Sequence, residues 1–247
     1  MKYLTVIPFF LVLSLWGCSE RSERDGAEKV TAGVEEEGNQ SEKSLNAFLN
    51  GSFEEGVSPW FFLEGNPNWL GFSISGAVAH SGKRSASLFI DAGPEANRVK
   101  VYGLIQEVLP EKFPDTISGY YRIENWKRGT PKQYLQFVVI VWGDPLAAEG
   151  RANHQIRYIL TGIDKPPLAI GNAKFVFVDP GAKEPVRKKW VRFERNVSED
   201  FRNLWGWVPS GYSKIRVLFE VRYDGKSKDS ERIIAEVYYD DLFFGWN

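Results

Sequence analysis

From about residue 70 onward the chain breaks into short runs in which apolar and polar residues alternate, with Gly, Pro, Asn and Asp clustered between them. A period of two sends successive side chains to opposite faces of a strand, so a series of such runs at short spacing specifies a folded antiparallel sheet. The runs fall at about 72–79, 85–91, 101–108, 116–123, 134–142, 154–162, 174–178, 190–197, 214–223 and 233–244. In Trp190-Val191-Arg192-Phe193-Glu194-Arg195 the two faces separate, whereas Phe137-Val138-Val139-Ile140-Val141 is apolar on both and marks a central strand. Only 198–204 reads as a helix, with Ser198 as its cap and acids in its first turn. Without βαβ alternation or an internal repeat, the expectation is all-β: an antiparallel β-sandwich of jelly-roll type, one domain spanning 45–247.

The first 44 residues differ from the rest. Tyr3 to Trp16 is an apolar run after Met1-Lys2, too short to span a bilayer as a mature helix but suited to a signal segment. It ends at Leu15-Trp16-Gly17-Cys18, which resembles a bacterial lipoprotein signal with Cys18 as the lipidated residue, and Cys18 is the one cysteine of the chain. Residues 1–18 are therefore expected to be a lipoprotein signal peptide. Residues 19–44 carry eight acids against four bases and almost no large apolar side chain, a composition that cannot bury enough surface to order itself. They read as a disordered acidic tether to a bacterial membrane, with the domain in the cell envelope outside the cytoplasm.

Several chemistries are excluded by count. The mature domain would have no thiol, and His80 and His154 are its two histidines, so a thiol nucleophile and a histidine-rich zinc site are ruled out. Neither a Gly-x-Ser-x-Gly elbow nor a phosphate-cradling glycine loop occurs. A formal net charge of −1 without a basic stripe argues against nucleic acid. No recognisable catalytic motif remains, although 32 acids leave paired carboxylates open.

Three ordered segments, Asn50-Gly51-Ser52-Phe53-Glu54, His80-Ser81-Gly82-Lys83-Arg84-Ser85 and Tyr238-Tyr239-Asp240-Asp241-Leu242, together with Lys189-Trp190-Val191-Arg192-Phe193, resemble galactose-binding-like jelly rolls. These are the carbohydrate-binding modules that accompany xylanases and cellulases. The resemblance implies non-catalytic polysaccharide binding and a structural calcium held by Glu54, Asp240 and the carbonyls of Ser52 and Lys83, oxygen donors suited to that ion. Asp241 is the less favoured donor, because neighbours on a strand point to opposite faces. The alternatives are a structural or protein-binding envelope module with no glycan ligand, and a jelly-roll polysaccharide lyase or glycoside hydrolase, the lyase prompted by Gln155-Ile156-Arg157-Tyr158.

Stacking on a sugar needs a flat, partly exposed aromatic with polar partners beside it. Trp126, in the polar setting Glu124-Asn125-Trp126-Lys127-Arg128, is the leading candidate. Trp142, Tyr121, Arg122 and Tyr158 are expected on the same face, with Gln136 and Gln155 as hydrogen-bonding partners. Trp60, Trp69, Trp190, Trp205 and Trp207 read as packing residues.

Overall fold

Ten of the eleven strands follow the alternation. The computed structural model describes residues 45–144, 153–180 and 183–246; the signal segment, Cys18 and the tether lie outside them. The strands are β1 (Trp69–Leu70), β2 (Ser73–Ser75), β3 (Ser85–Ala92), β4 (Lys100–Val108), β5 (Thr116–Lys127), β6 (Lys132–Trp142), β7 (Asn153–Thr161), β8 (Ala173–Phe177), β9 (Trp190–Asn196), β10 (Lys214–Asp224) and β11 (Ile233–Gly245). They form a six-stranded sheet, β1-β4-β10-β6-β7-β8, and a five-stranded sheet, β2-β3-β11-β5-β9. Pairing is antiparallel except at two edges, β1 with β4 and β7 with β8.

The expected β-sandwich is therefore present, with its core between the two sheets. From β6, Leu135, Phe137, Val139 and Val141 point inward, and from β10 Ile215, Val217, Phe219, Val221 and Tyr223. From β11 come Ile233, Ala235, Val237, Tyr239, Leu242 and Phe244. Phe137 and Phe219 lie side by side at 5.9 Å, and Phe219 meets Tyr239 of the opposite sheet at 5.4 Å. Aromatic pairs at such spacing add to the stabilisation from burial alone.

One helix, α1 (Val197–Trp205), follows β9 directly. Its cap is Asn196, whose side chain accepts from the Glu199 N–H, and not Ser198 as expected. Ser198 instead donates from within the first turn to Asp115 Oδ1 and Asn196 Oδ1, each at 3.0 Å. Glu199 and Asp200 do occupy that first turn, where the helix dipole favours acids.

The first segment of the domain is stitched to the last strand. Ala47 N–H donates to Phe244 O at 2.7 Å, Leu242 N–H to Gly51 O at 2.9 Å, and Asn46 Oδ1 accepts from Phe244 N–H at 2.9 Å. A Cβ on Gly51 would stand 2.1 Å from the Leu242 carbonyl oxygen, so this seam requires glycine there. Phe53, between Gly51 and Glu54, is fully buried against Trp60.

Candidate binding face and the seam

Because the inward positions of β6 and β10 are fixed, their other residues form the outer face of the six-stranded sheet. The register aligns that face in rows across β4, β10, β6, β7 and β8. One row is Glu107, Arg216, Ile140, Gln155, Ala173, and the next is Ile105, Leu218, Val138, Arg157, Phe175. A third is Gly103, Glu220, Gln136, Ile159, Phe177, and Arg222 with Tyr134 begins a fourth.

The second row carries an apolar cluster, Ile105, Val138 and Leu218, against which Trp69 packs, and the third and fourth rows are polar and enclosed. Gln136 Nε2 donates to Glu220 Oε2 at 2.5 Å, and both residues are almost wholly buried. Arg222 Nη2 donates to Asp224 Oδ1 at 2.6 Å while its Nη1 lies 3.8 Å from Glu220. The Tyr134 hydroxyl donates to Asp224 Oδ2 at 2.8 Å. Burial drives the Tyr134 phenol well above its ordinary pKa, with Asp224 and Glu220 adding to the rise against Arg222. Two buried polar atoms here, Gln136 Oε1 and Arg222 Nε, have no hydrogen-bond partner among the described residues, as is also true of Trp126 Nε1 and the Tyr158 hydroxyl in the core.

Aromatics flank this floor. Trp69 on β1 is partly exposed and lies against Gly103, its Cζ3 3.7 Å from where a Cβ would stand there. Phe175 and Phe177 on β8 pack at the other edge with Ile159 and Ile163.

The expected ligand residues divide between three places. Gln136, Gln155 and Trp142 do share the outer face of the six-stranded sheet. The Trp142 ring is already covered, with Lys214 Nζ at 5.2 Å and Arg216 Cζ at 5.0 Å. Trp126, Tyr121 and Tyr158 instead belong to the core, at 8%, 5% and 0% exposure, so none can stack on a ligand. Tyr158 lies flat on Phe137 at 4.5 Å. For Trp126 the cause is a β-bulge: Val237 pairs with Ile123 but Glu236 with Asn125, so Glu124 is an extra residue. The facing reverses beyond it, and Trp126 points inward as Ile123 does. Arg122 lies on the outer face of the other sheet, bound to Glu124 at 2.7 Å.

The two carboxylates expected at a calcium, Glu54 and Asp240, both accept main-chain N–H groups of residues 80–84. Glu54 Oε1 accepts from the N–H groups of Lys83 and Arg84, both at 2.8 Å, which lower its pKa. Asp240 Oδ2 accepts from His80 N–H at 2.7 Å and Ser81 N–H at 3.3 Å. A second bulge in β11 makes Asp241 an additional residue with φ of 49°, and this alters the expectation for it. Asp241 turns to the same segment as Asp240, binding His80 Nδ1 and the Ser81 hydroxyl, each at 2.6 Å.

Asp240 is fully buried and makes no ion pair among the described residues, and burial raises its pKa to about 6. A desolvated carboxylate of this kind fits a hard cation. No group of three or more Asp, Glu, His or Cys gathers among the described residues, so such an ion would depend on main-chain carbonyls.

No family model matches the chain, and no curated protein matches it. Several solved structures are distantly similar. TmCBM61, solved with β-1,4-galactotriose, is 14% identical, with 81% of this chain and 97% of that one covered at a TM-score of 0.41. CBM28, a carbohydrate-binding module specific for non-crystalline cellulose, is 12% identical over 81% of this chain and 94% of its own, at 0.40. An endo-β-1,4-glucuronan lyase from the fungus Trichoderma reesei is 11% identical over 78% and 93%, at 0.45.

Proposed function

We propose that the domain binds polysaccharide without catalysis on the outer face of its six-stranded sheet. The observation that carries this reading is the partly exposed Trp69 ring set beside the polar floor of Glu220, Gln136 and Arg222. A sugar ring offers an apolar face to an indole and hydroxyls that both donate and accept. From β1 to β8 is five strand spacings, about 24 Å at ~4.8 Å each, a width that suits an oligosaccharide stretch better than a single ring.

The same groups argue for binding rather than reaction. Glu220 and Asp224 are each tied to Gln136, Arg222 or Tyr134, and the Tyr134 phenol is held protonated, so no acid or base on this floor is free to move a proton. Affinity electrophoresis against a panel of soluble polysaccharides tests the reading. Retention by at least one, weakened at least tenfold in Trp69→Ala, is expected; no retention by any would remove it.

The calcium and the lipid anchor complete the proposal. Asp240 supports the ion through its buried carboxylate, which makes no ion pair among the described residues, with Glu54 and the carbonyls of Ser52 and Lys83 as companions. The anchor rests on Cys18 in its sequence setting. Cys18→Ser is expected to release the protein from the membrane fraction, and continued retention there would rule lipidation out.

A second reading, docking of an envelope protein, is favoured by a separate feature. A groove of about 730 Å³ beside the seam is lined by Leu45, Leu49, Val108, Leu109 and Trp246, and its three leucines are all exposed.

A further inference from the structure

We propose that Arg157 receives a carboxylate, and that the polysaccharide taken by the outer face of the six-stranded sheet therefore carries uronic acid residues. This rests on that face being the polysaccharide-binding surface and adds the chemical class of its ligand.

Arg157 stands apart from the other charges of the floor. Its Nε donates to Gln155 Oε1 at 2.9 Å, and its two Nη groups have no hydrogen-bond or ion-pair partner among the described residues. The neighbouring carboxylates are taken: Glu220 by Gln136 and Arg222, and Asp224 by Arg222 and Tyr134. The Nη groups are not among the sealed polar atoms of the domain, so a ligand can reach them.

The surroundings strengthen what that fork can do. In its row Arg157 stands between Val138 and Phe175, with Leu218 and Ile105 beyond Val138. Desolvation is the largest influence on this guanidinium and lowers its pKa, against a smaller opposing effect of Glu220. Arginine remains a cation in any case. A partly buried guanidinium without a counter-ion is an uncompensated cost to the fold, and a planar carboxylate engaging both Nη groups would offset it. A neutral sugar would leave the Arg157 fork unmatched.

The test uses polygalacturonate, alginate and glucuronan, each beside its carboxyl-reduced neutral form, in affinity electrophoresis with the whole chain. Retention by at least one uronan, at least tenfold weaker for its reduced form, is expected. Arg157→Gln should weaken uronan binding about tenfold or more with an unchanged melting midpoint, and Arg157→Lys should fall between, since it keeps the charge and loses the fork. Equal uronan binding by Arg157→Gln and the unaltered protein would overturn the assignment. So would retention by the reduced forms alone, which leaves polysaccharide binding itself standing. Failure of all six to bind overturns the assignment, while the polysaccharide reading falls only if the wider panel is not retained either.

Discussion

The two outer faces of the sandwich carry similar residue types and treat them differently. On the five-stranded sheet the charges are matched locally and stay near water: Arg122 with Glu124, Arg192 with Glu194, and the Tyr238 hydroxyl with Glu236 at 2.7 Å. On the six-stranded sheet Glu220, Gln136, Asp224 and Arg222 are sunk between aromatic edges, and the set is incompletely satisfied. Exposed ion pairs of the first kind contribute little and ask for nothing further. Buried groups of the second kind are costly unless their hydrogen bonds are completed.

The largest expected effect is on that buried floor. Glu220→Ala removes the carboxylate that receives Gln136 and approaches Arg222, leaving an amide donor and part of a guanidinium without a partner. Breaking a buried pair from one side is expected to lower the unfolding free energy by about 3 kcal/mol, measured by urea denaturation. A loss below about 1 kcal/mol would mean that water already completes this floor, and the contrast between the faces would lapse.

An intermediate effect is expected at the seam, where Asp240 is buried as deeply as Glu220 but has main-chain donors in place of a cation. Its folded pKa of about 6 exceeds its reference value of 3.8, so the folded state holds the proton more tightly. That contribution is complete below pH 3.8 and is lost as pH rises through about 6, on the order of 3 kcal/mol. In the presence of a chelator, Asp240→Asn should therefore remove a falling limb of stability between pH 4 and pH 6.5. Calcium bound to the carboxylate would favour the ionised form, so added calcium should raise the melting midpoint above pH 6 and abolish the limb. A midpoint indifferent to calcium and chelator alike would take the ion out of the account.

Much of this was readable from the sequence, and the failures have specific causes. Most strands from β3 onward show a period of two, and β6 is marked instead by an apolar run between turn residues, so their existence along the chain is legible. The same parity already separates Tyr158 from Gln155, three positions apart on one strand, so their placement on a common face was an avoidable error. The inward turn of Trp126 was not readable in this way: it depends on a bulge at Glu124, which leaves no mark in an alternation pattern. Trp69 reads as a packing residue and does pack on Ile105, Val138 and Leu218; that it also borders Glu220 across Gly103 is not legible, because β1 is two residues long and shows no period. Arg157 sits in a segment noticed for its lyase-like order, but its unpaired fork depends on which neighbours claim Glu220 and Asp224. The joining of Gly51 to Leu242 was foreshadowed by the order of the motifs, and the reason for the glycine appears only at the seam.

The smallest expected effect completes the comparison. Arg192 and Glu194 are neighbours on one face of β9, an edge strand, and both are more than 40% exposed as side chains. Their attraction acts through water, and holding two long side chains together costs rotamer entropy, so the net contribution is small. Arg192→Ala should change the unfolding free energy by less than about 0.5 kcal/mol, and polysaccharide retention should not change. The double variant with Glu194→Ala should be additive within about 0.3 kcal/mol, showing no coupling worth the name. A coupling above about 1 kcal/mol, or a loss of retention, would mean that the five-stranded face is also a built site. The asymmetry on which the proposed ligand site rests would then disappear.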